Sequence, residues 1–436
     1  MDKFNTGQQK SIGLKQKRIS RYILVCILTA ISVVTLSAHY GYDPDARIPR
    51  FRLETAEGDD AIGQSIQITG NYYIGATGHF IKVFPEGTEF KDRLPLDTFM
   101  QGLSFRGYRA GFEGLTDDFP SFMRGKSYGE FDQTQEWLAY VELSNAKGRT
   151  RIKLSLLNKA AGKSTVHYLE AGGWPKNENI LLEDVQVEDK NIHFLLRRWK
   201  PDSAGYSTNS QLTDYVVDLS SGNILNEREI AIPGTEVSSQ SHQIRLVKDW
   251  SGDTASPYTL IISSNAEPEK RSTEKLPQNA DLRPVRSYDL FAYRYADGKL
   301  EALNDLWPNT VEDAGNANYF LNGDDLYAIR GDAGRKNSTF STFIDVKGIN
   351  LARHAHFTAY SIGASELGSQ TMGSPVLFKN GLIHVILNQD SRPMVAVIDA
   401  VTGKLVYKGK VVLEKSANDE EKVFNKTRLD TLEIRS

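Results

Sequence analysis

His354 and His356 stand two residues apart in a strand-like stretch. Alternate residues of a strand share a face, so both imidazoles could meet one metal ion. Spacing supplies no third ligand, and neither an HExxH pair nor a calcium-loop pattern occurs. The pair is therefore expected to be surface polarity on an outer strand, and no metal site is expected. Asp117-Asp118 and Asp324-Asp325 are acidic turns that solvent satisfies. Gly162-Lys163-Ser164 ends like a phosphate loop, but Leu157 stands where the upstream glycine is required and no helix start follows. Ser272 and Lys275 match S-x-x-K inside the polar stretch EPEKRSTEKLPQ, which reads as an exposed loop rather than the rigid setting a nucleophile needs. No G-x-S-x-G elbow occurs. Arg330-Gly331-Asp332 follows a strand and reads as a turn. Asn337-Ser338-Thr339 and Asn425-Lys426-Thr427 fit the glycosylation pattern. The loops FRGYRAGFEGL (105–115) and EAGGWPKNEN (170–179) set aromatics among glycines, a composition suited either to a contact surface or to core packing at corners. No catalytic residue and no cofactor follow from these motifs; paired-carboxylate hydrolysis stays open, because spacing does not reveal which acids meet.

Composition narrows the classes further. The 436 residues are 25% charged and 40% hydrophobic, in the globular range. A net charge of −3 argues against a nucleic-acid partner. The single cysteine, Cys26, excludes internal disulfides, Cys-rich zinc sites and iron–sulfur clusters.

Hydrophobicity is concentrated near the start. From Tyr22 to Tyr42 no residue carries a formal charge, and as a helix the run would extend about 31 Å, close to a bilayer's hydrocarbon core. Lys3, Lys10, Lys15, Lys17, Arg18 and Arg21 precede it against Asp2 alone, so the positive-inside rule puts the N-terminus in the cytoplasm. A cleaved signal peptide is the rival; a cut after Ser37, with Thr35 two before it, fits the small-residue rule poorly. The expected organisation is a cytoplasmic tail (1–21), a signal-anchor helix (22–42), a polar linker (43–62) and an extracytoplasmic domain (63–436).

Beyond the linker, short period-two segments such as HFIKVF, NIHFLL, DYVVDL, YTLIIS and LIHVIL recur between turn formers, so the domain is all-β. Hairpins come in consecutive pairs. VLFKNGLIHVIL turns at Asn380-Gly381 and is followed by a turn at Thr402-Gly403; other pairs turn at Asp189-Lys190 then Ser221-Gly222, and at Asn322-Gly323 then Lys347-Gly348. Two hairpins make four antiparallel strands, the unit of a β-propeller blade. The second-hairpin glycines Gly162, Gly222, Gly298, Gly348 and Gly403 are spaced by 60, 76, 50 and 55 residues, which leads to about seven blades, with six or eight, or paired β-sandwiches, as alternatives.

The stretch Asp399-Ala-Val-Thr-Gly403-Lys-Leu-Val-Tyr407 resembles the D-x-x-T-G-K-x-x-W repeat of quinoprotein-like (PQQ-type) propellers of the bacterial envelope. Asp218-Leu-Ser-Ser-Gly222 is a fair copy; Asn158–Lys163 and Asp345–Gly348 are eroded ones. Tyr407 stands where that family places a blade-docking Trp. The resemblance implies a fold and little about activity.

The expected function is a membrane-tethered, non-enzymatic binding or scaffold module for an envelope protein or surface ligand. An enzyme on the same scaffold (hydrolase, lyase or quinoprotein-type dehydrogenase) and a sensory accessory of a membrane partner are the alternatives. The tail TRLDTLEIR, with Leu432 and Ile434 on one face, is expected to close the ring against the last blade, between Pro375 and Val412.

Overall fold

A computed structural model describes residues 28–35, 48–90, 115, 118–126, 129–146, 149–169, 178–201, 207–233, 241–247, 257–266, 286–303, 317–331, 340–373, 376–389, 392–415 and 419–435. Among the described residues the chain builds six antiparallel sheets in a propeller-like, all-β arrangement. Four of them have four strands each: the second runs from Glu130 to Leu169, the third from Asn179 to Ile230, the fourth from Ser241 to Ala302 and the fifth from Ala317 to Gly363, interrupted by the strand Phe340–Ser341, which pairs in the sixth. The sixth, built mainly on 371–413, and the first, built mainly on 66–90, borrow strands across the chain. The number is six where equal spacing led to seven. The chain does not spend its residues evenly: 91–129 lie between the first two sheets, and 267–285 join two strands of the fourth.

Period-two patterning makes the second to sixth sheets apolar on both faces, and both are used. In the third sheet Ile192, Phe194 and Leu196 pack with Val141, Ile152 and Leu154 of the second. Leu195 and Leu212, on its opposite face, pack with Ile261 and Phe291 of the fourth. Similar clusters join the fourth sheet to the fifth, the fifth to the sixth and the sixth to the first. A sheet in a sandwich packs only one face on another sheet; two packed faces per sheet require a radial stack. On its other face the second sheet presents Leu138 and Tyr140 to Leu115, Phe122 and Met123, the last two on the short helix Pro120–Met123.

Both chain ends are woven into this stack. The strand Phe51–Gly58 pairs with Leu405–Leu413 on the outside of the sixth sheet. The expected linker 43–62 therefore holds folded structure: Phe51 and Leu53 point into the core while Arg52 and Glu54 face out, an alternation hidden by the acids around it. The strand Thr427–Ile434 is the expected closing strand, with a different partner. It pairs with Ile66–Ile74 of the first sheet, Leu432 opposite Ile68 and Ile434 opposite Ile66, not with the last sheet's hairpins. Of the expected membrane helix, 28–35 are described and are helical; among the described residues no helix is long and apolar enough to cross a membrane.

The turn repeat is physical. Asn158, Asp218, Asn350 and Asp399 each accept the amide of the residue three further on, at 2.8, 2.7, 3.0 and 2.7 Å. One residue later the backbone turns to positive φ, at Gly162, Gly222, His354 and Gly403, a conformation in which a Cβ is disfavoured. The fifth sheet's turn is thus at 351–354, not at Lys347-Gly348. Gly348 lies within the strand Phe343–Asn350, where an added Cβ would strike the Phe357 ring at 2.6 Å. These turns also dock each sheet on the outer strand of the one before. Gly222 leaves room for His167, and Gly298 for Arg228, which donates to the Tyr295 carbonyl at 3.2 Å. His354 meets Glu301 at 3.2 Å, and Gly403 lies under the Tyr360 ring. Tyr360 donates to the Ala400 carbonyl at 3.1 Å. Four different side chains thus perform the docking expected of a repeated Trp, while Tyr407 is buried in the seam between the sixth and first sheets.

Asp399→Ala should destabilise by about 1 kcal/mol through its lost bonds to Thr402. Gly403→Val should cost more than Gly403→Ala, which itself costs about 1–2 kcal/mol. Because both residues serve one turn, the double variant should cost less than the sum in a denaturant titration. Full additivity would show that the two positions do not share the turn.

Candidate functional site

Most of the seam between the fourth and fifth sheets is filled by large side chains, among them Tyr258, Leu260, Leu290 and Leu326. It is not filled at the end where the strand Asp325–Gly331 stops. Two alternate rungs of the fifth sheet, which share a face, explain why. One carries Ala317, Arg330 and Asp345 across three strands; two rungs on stand Ala328, Lys347 and Ala359. Three alanines where the seam elsewhere has Leu, Ile or Tyr leave a half-open cavity of about 360 Å³, with Val346 and Tyr360 completing the lining. Arg330 and Asp345 form an ion pair at 2.7 Å on its wall, both side chains half-buried. Arg330, Lys347 and Asp345 thus bring two cations and a carboxylate to the lining, over a floor too small to exclude a ligand. Charge-assisted hydrogen bonds from a guanidinium and an ammonium suit a carboxylate or phosphate.

A second polar constellation lies between the third and fourth sheets. Asp214, 0% exposed, is 3.1 Å from His193 Nδ1 and accepts the Tyr293 hydroxyl at 2.7 Å. Asp184 accepts the Tyr295 hydroxyl at 2.6 Å and the amide of Val185 at 3.0 Å. The tyrosine rings meet edge to face at 5.6 Å. Burial first, then the neighbouring carboxyls, push both tyrosine hydroxyls well above their ordinary value. His, Asp and Tyr at these distances could move protons, but all five side chains are sealed in the seam. The arrangement ties two sheets together, and catalysis would need a route for substrate.

His384 is buried on the strand Leu382–Gln389, and desolvation pulls its imidazole down to about 4. An unfolded imidazole titrates near 6.5. Between the two values the unfolded chain binds more protons, so stability falls as pH drops through that window. The total loss is roughly 3 kcal/mol. Denaturant midpoints at pH 7 and pH 4 measure it, and His384→Leu should remove most of this component; an unchanged slope would place the acid sensitivity elsewhere.

The sequence candidates fare unevenly. His354 lies in the turn before the strand Ala355–Gly363 and faces Glu301, while His356 is on that strand and exposed. They do not share a strand face, and among the described residues no group of three or more His, Cys, Asp or Glu could hold a metal. Asp325 accepts from the Asn350 amide at 2.7 Å, so it braces a turn; Asp118 is exposed. Gly162-Lys163-Ser164 is a hairpin turn leading into the strand Lys163–Leu169. Of the tripeptide Arg330-Gly331-Asp332, the first residue builds the cavity wall, the second ends its strand and the third lies outside the described residues. Ser272–Lys275, Asn337–Thr339, Asp117 and most of the two aromatic–glycine loops also lie outside them; Leu115 is buried against Phe122. Asn425 ends the helix Glu420–Phe424 and is exposed. Nothing in the sequence marks the cavity, since its three alanines lie on three different strands. What joins Ala317, Ala328 and Ala359 is register.

The chain is thus a propeller-like protein, with six sheets among its described residues. No protein-family model and no curated protein matches it. Among solved structures it is similar to the polysaccharide lyase Uly1, with 12% identity and a TM-score of 0.38 over 66% of this chain and 58% of that one. It is similar to a cobalt-substituted Synechocystis ACO at 11% identity and TM-score 0.41, covering 82% and 91%. A prolyl endopeptidase matches at 13% and 0.34, over 80% of this chain and 42% of its own. At such scores these similarities carry no argument about activity.

Proposed function

We propose that the protein is a single-pass, membrane-anchored propeller of the bacterial envelope, its N-terminus cytoplasmic and its domain outside. In this reading it acts as a binding module for an envelope protein or surface component, and the cavity between the fourth and fifth sheets receives an anionic group of that partner. The observation that carries this reading is the cavity wall, in which Arg330, Asp345 and Lys347 converge over alanines. The anchor is supported by the Tyr22–Tyr42 run and by its helical part 28–35, where Leu28, Ile31, Val33 and Val34 are 55–67% exposed. External protease on intact cells should remove the domain, and carbonate should not release the protein.

The cavity is tested by thermal shift with a panel of carboxylated and phosphorylated sugars. A ligand at 100 times its Kd stabilises by about 2.7 kcal/mol, and Ala359→Leu, an exposed position that fills the cavity, should abolish that shift. A shift that survives Ala359→Leu, or no shift with any member of the panel, overturns the assignment.

A further inference from the structure

The anchor reading has a geometric consequence. The domain begins at Ile48, which is buried in the seam between the sixth and first sheets. The Arg50 carbonyl accepts the amide of Glu414 at 2.9 Å, and the Phe51 ring packs on Tyr72 at 6.4 Å and on Phe424 at 5.8 Å. Only residues 43–47 separate the end of the uncharged run from this docked segment. A fully extended chain covers about 3.3–3.6 Å per residue, so Ile48 lies within about 20 Å of the end of the span. Whatever stands beside Ile48–Phe51 is held close to the bilayer.

What stands there is the hairpin joining Ile66–Ile74 to Thr77–Phe84. Tyr72, the ring partner of Phe51, is followed by Tyr73 and Ile74, 37% and 39% exposed. Gly75 turns the tip at φ +63°, with no atom within 4 Å of where a Cβ would sit, so the turn faces open space. Gly70 to Gly78 carries no charge. The tip is also held from behind: the Tyr73 amide donates to the Lys426 carbonyl at 2.8 Å. Just before and on the adjoining strand Thr427–Ile434, Lys426 and Arg428 are exposed, Arg428 bonded to Asp430 at 2.9 Å. An aromatic with a polar tip beside an aliphatic residue, flanked by cations, matches the headgroup layer of a bilayer.

We propose that the Tyr73–Ile74 tip is a second membrane contact, inserted into the headgroup layer, which together with the span seats the domain in one orientation on the outer leaflet. The proposal rests on the anchored reading above. The full-length chain carrying Cys26→Ser is reconstituted into phosphatidylcholine–phosphatidylglycerol vesicles, with Ile74→Cys or Val401→Cys labelled by an environment-sensitive fluorophore. Val401 is exposed in the turn preceding Leu405–Leu413, whereas Phe51 pairs with Leu413 at the far end of that strand, so it reports the opposite end. The same vesicles are extracted with carbonate. With the chain retained, the label at 74 should shift to the blue and be quenched by spin-labelled lipid, and that at 401 should not. Retention with no quenching at 74, or with equal quenching at both positions, overturns the tip while leaving the anchor standing. Release by carbonate overturns the anchor and the tip together.

Discussion

A chain ending at Lys426 should melt roughly 10 °C or more below the full protein, although the lost residues look peripheral. The strand Thr427–Ile434 pairs with the first sheet over Ile66–Tyr72 and buries Leu429 fully and Leu432 and Ile434 partly in the core shared with the sixth sheet. Removing it strips these contacts and leaves the first sheet with three strands and an open edge. Several kcal/mol out of about 5–15 for a whole domain, at about 2–4 °C per kcal/mol, gives that shift. Leu429→Ala should account for about 2–5 kcal/mol of it alone. A truncated chain that melts within a degree of the full one would show that the first sheet does not depend on this strand.

Asp214→Ala should cost about 3–5 kcal/mol, more than any surface substitution. It leaves the buried Tyr293 hydroxyl and His193 ring without the acceptor they share. Tyr293→Phe removes one donor together with its need and should cost only about 1–2 kcal/mol. Combining the two should cost clearly less than the sum, because Tyr293→Phe removes one of the groups that Asp214→Ala orphans. Urea midpoints at neutral pH measure all three. If Asp214→Ala melts like the wild type but abolishes a binding or catalytic activity, the cluster is a working site rather than a clasp.

The parts of this architecture that were legible beforehand are those set by local chemistry. Asp218 and Asp399 mark their turns because a short carboxylate caps amides three residues away, and Gly222 and Gly403 because few other residues tolerate the next backbone angle. Thr402 accordingly holds the Asp399 carboxyl below its ordinary value, and Ser220 and Ser221 hold that of Asp218 down to about 2. The fifth turn was misplaced because its glycine position is occupied by His354, while a glycine of unrelated purpose, Gly348, lay nearby. The closing strand showed its alternation in Leu432 and Ile434, but alternation names a face and not a partner. Its pairing with Ile66–Ile74 spans most of the chain. The cavity and the clasp were invisible for the same reason: Tyr295 and Asp184 are 111 residues apart, and only the radial packing of sheets makes them neighbours.

Interlocked ends also constrain how the protein is made. The strand Phe51–Gly58 emerges from the ribosome early, yet its partner Leu405–Leu413 is among the last segments synthesised. Ile66–Ile74 waits likewise for Thr427–Ile434. The seam between the first and sixth sheets cannot assemble before nearly the whole chain has been synthesised, so the earliest apolar strands wait unpaired. That interval exposes edges to aggregation and makes ring closure a late, long-range step in folding.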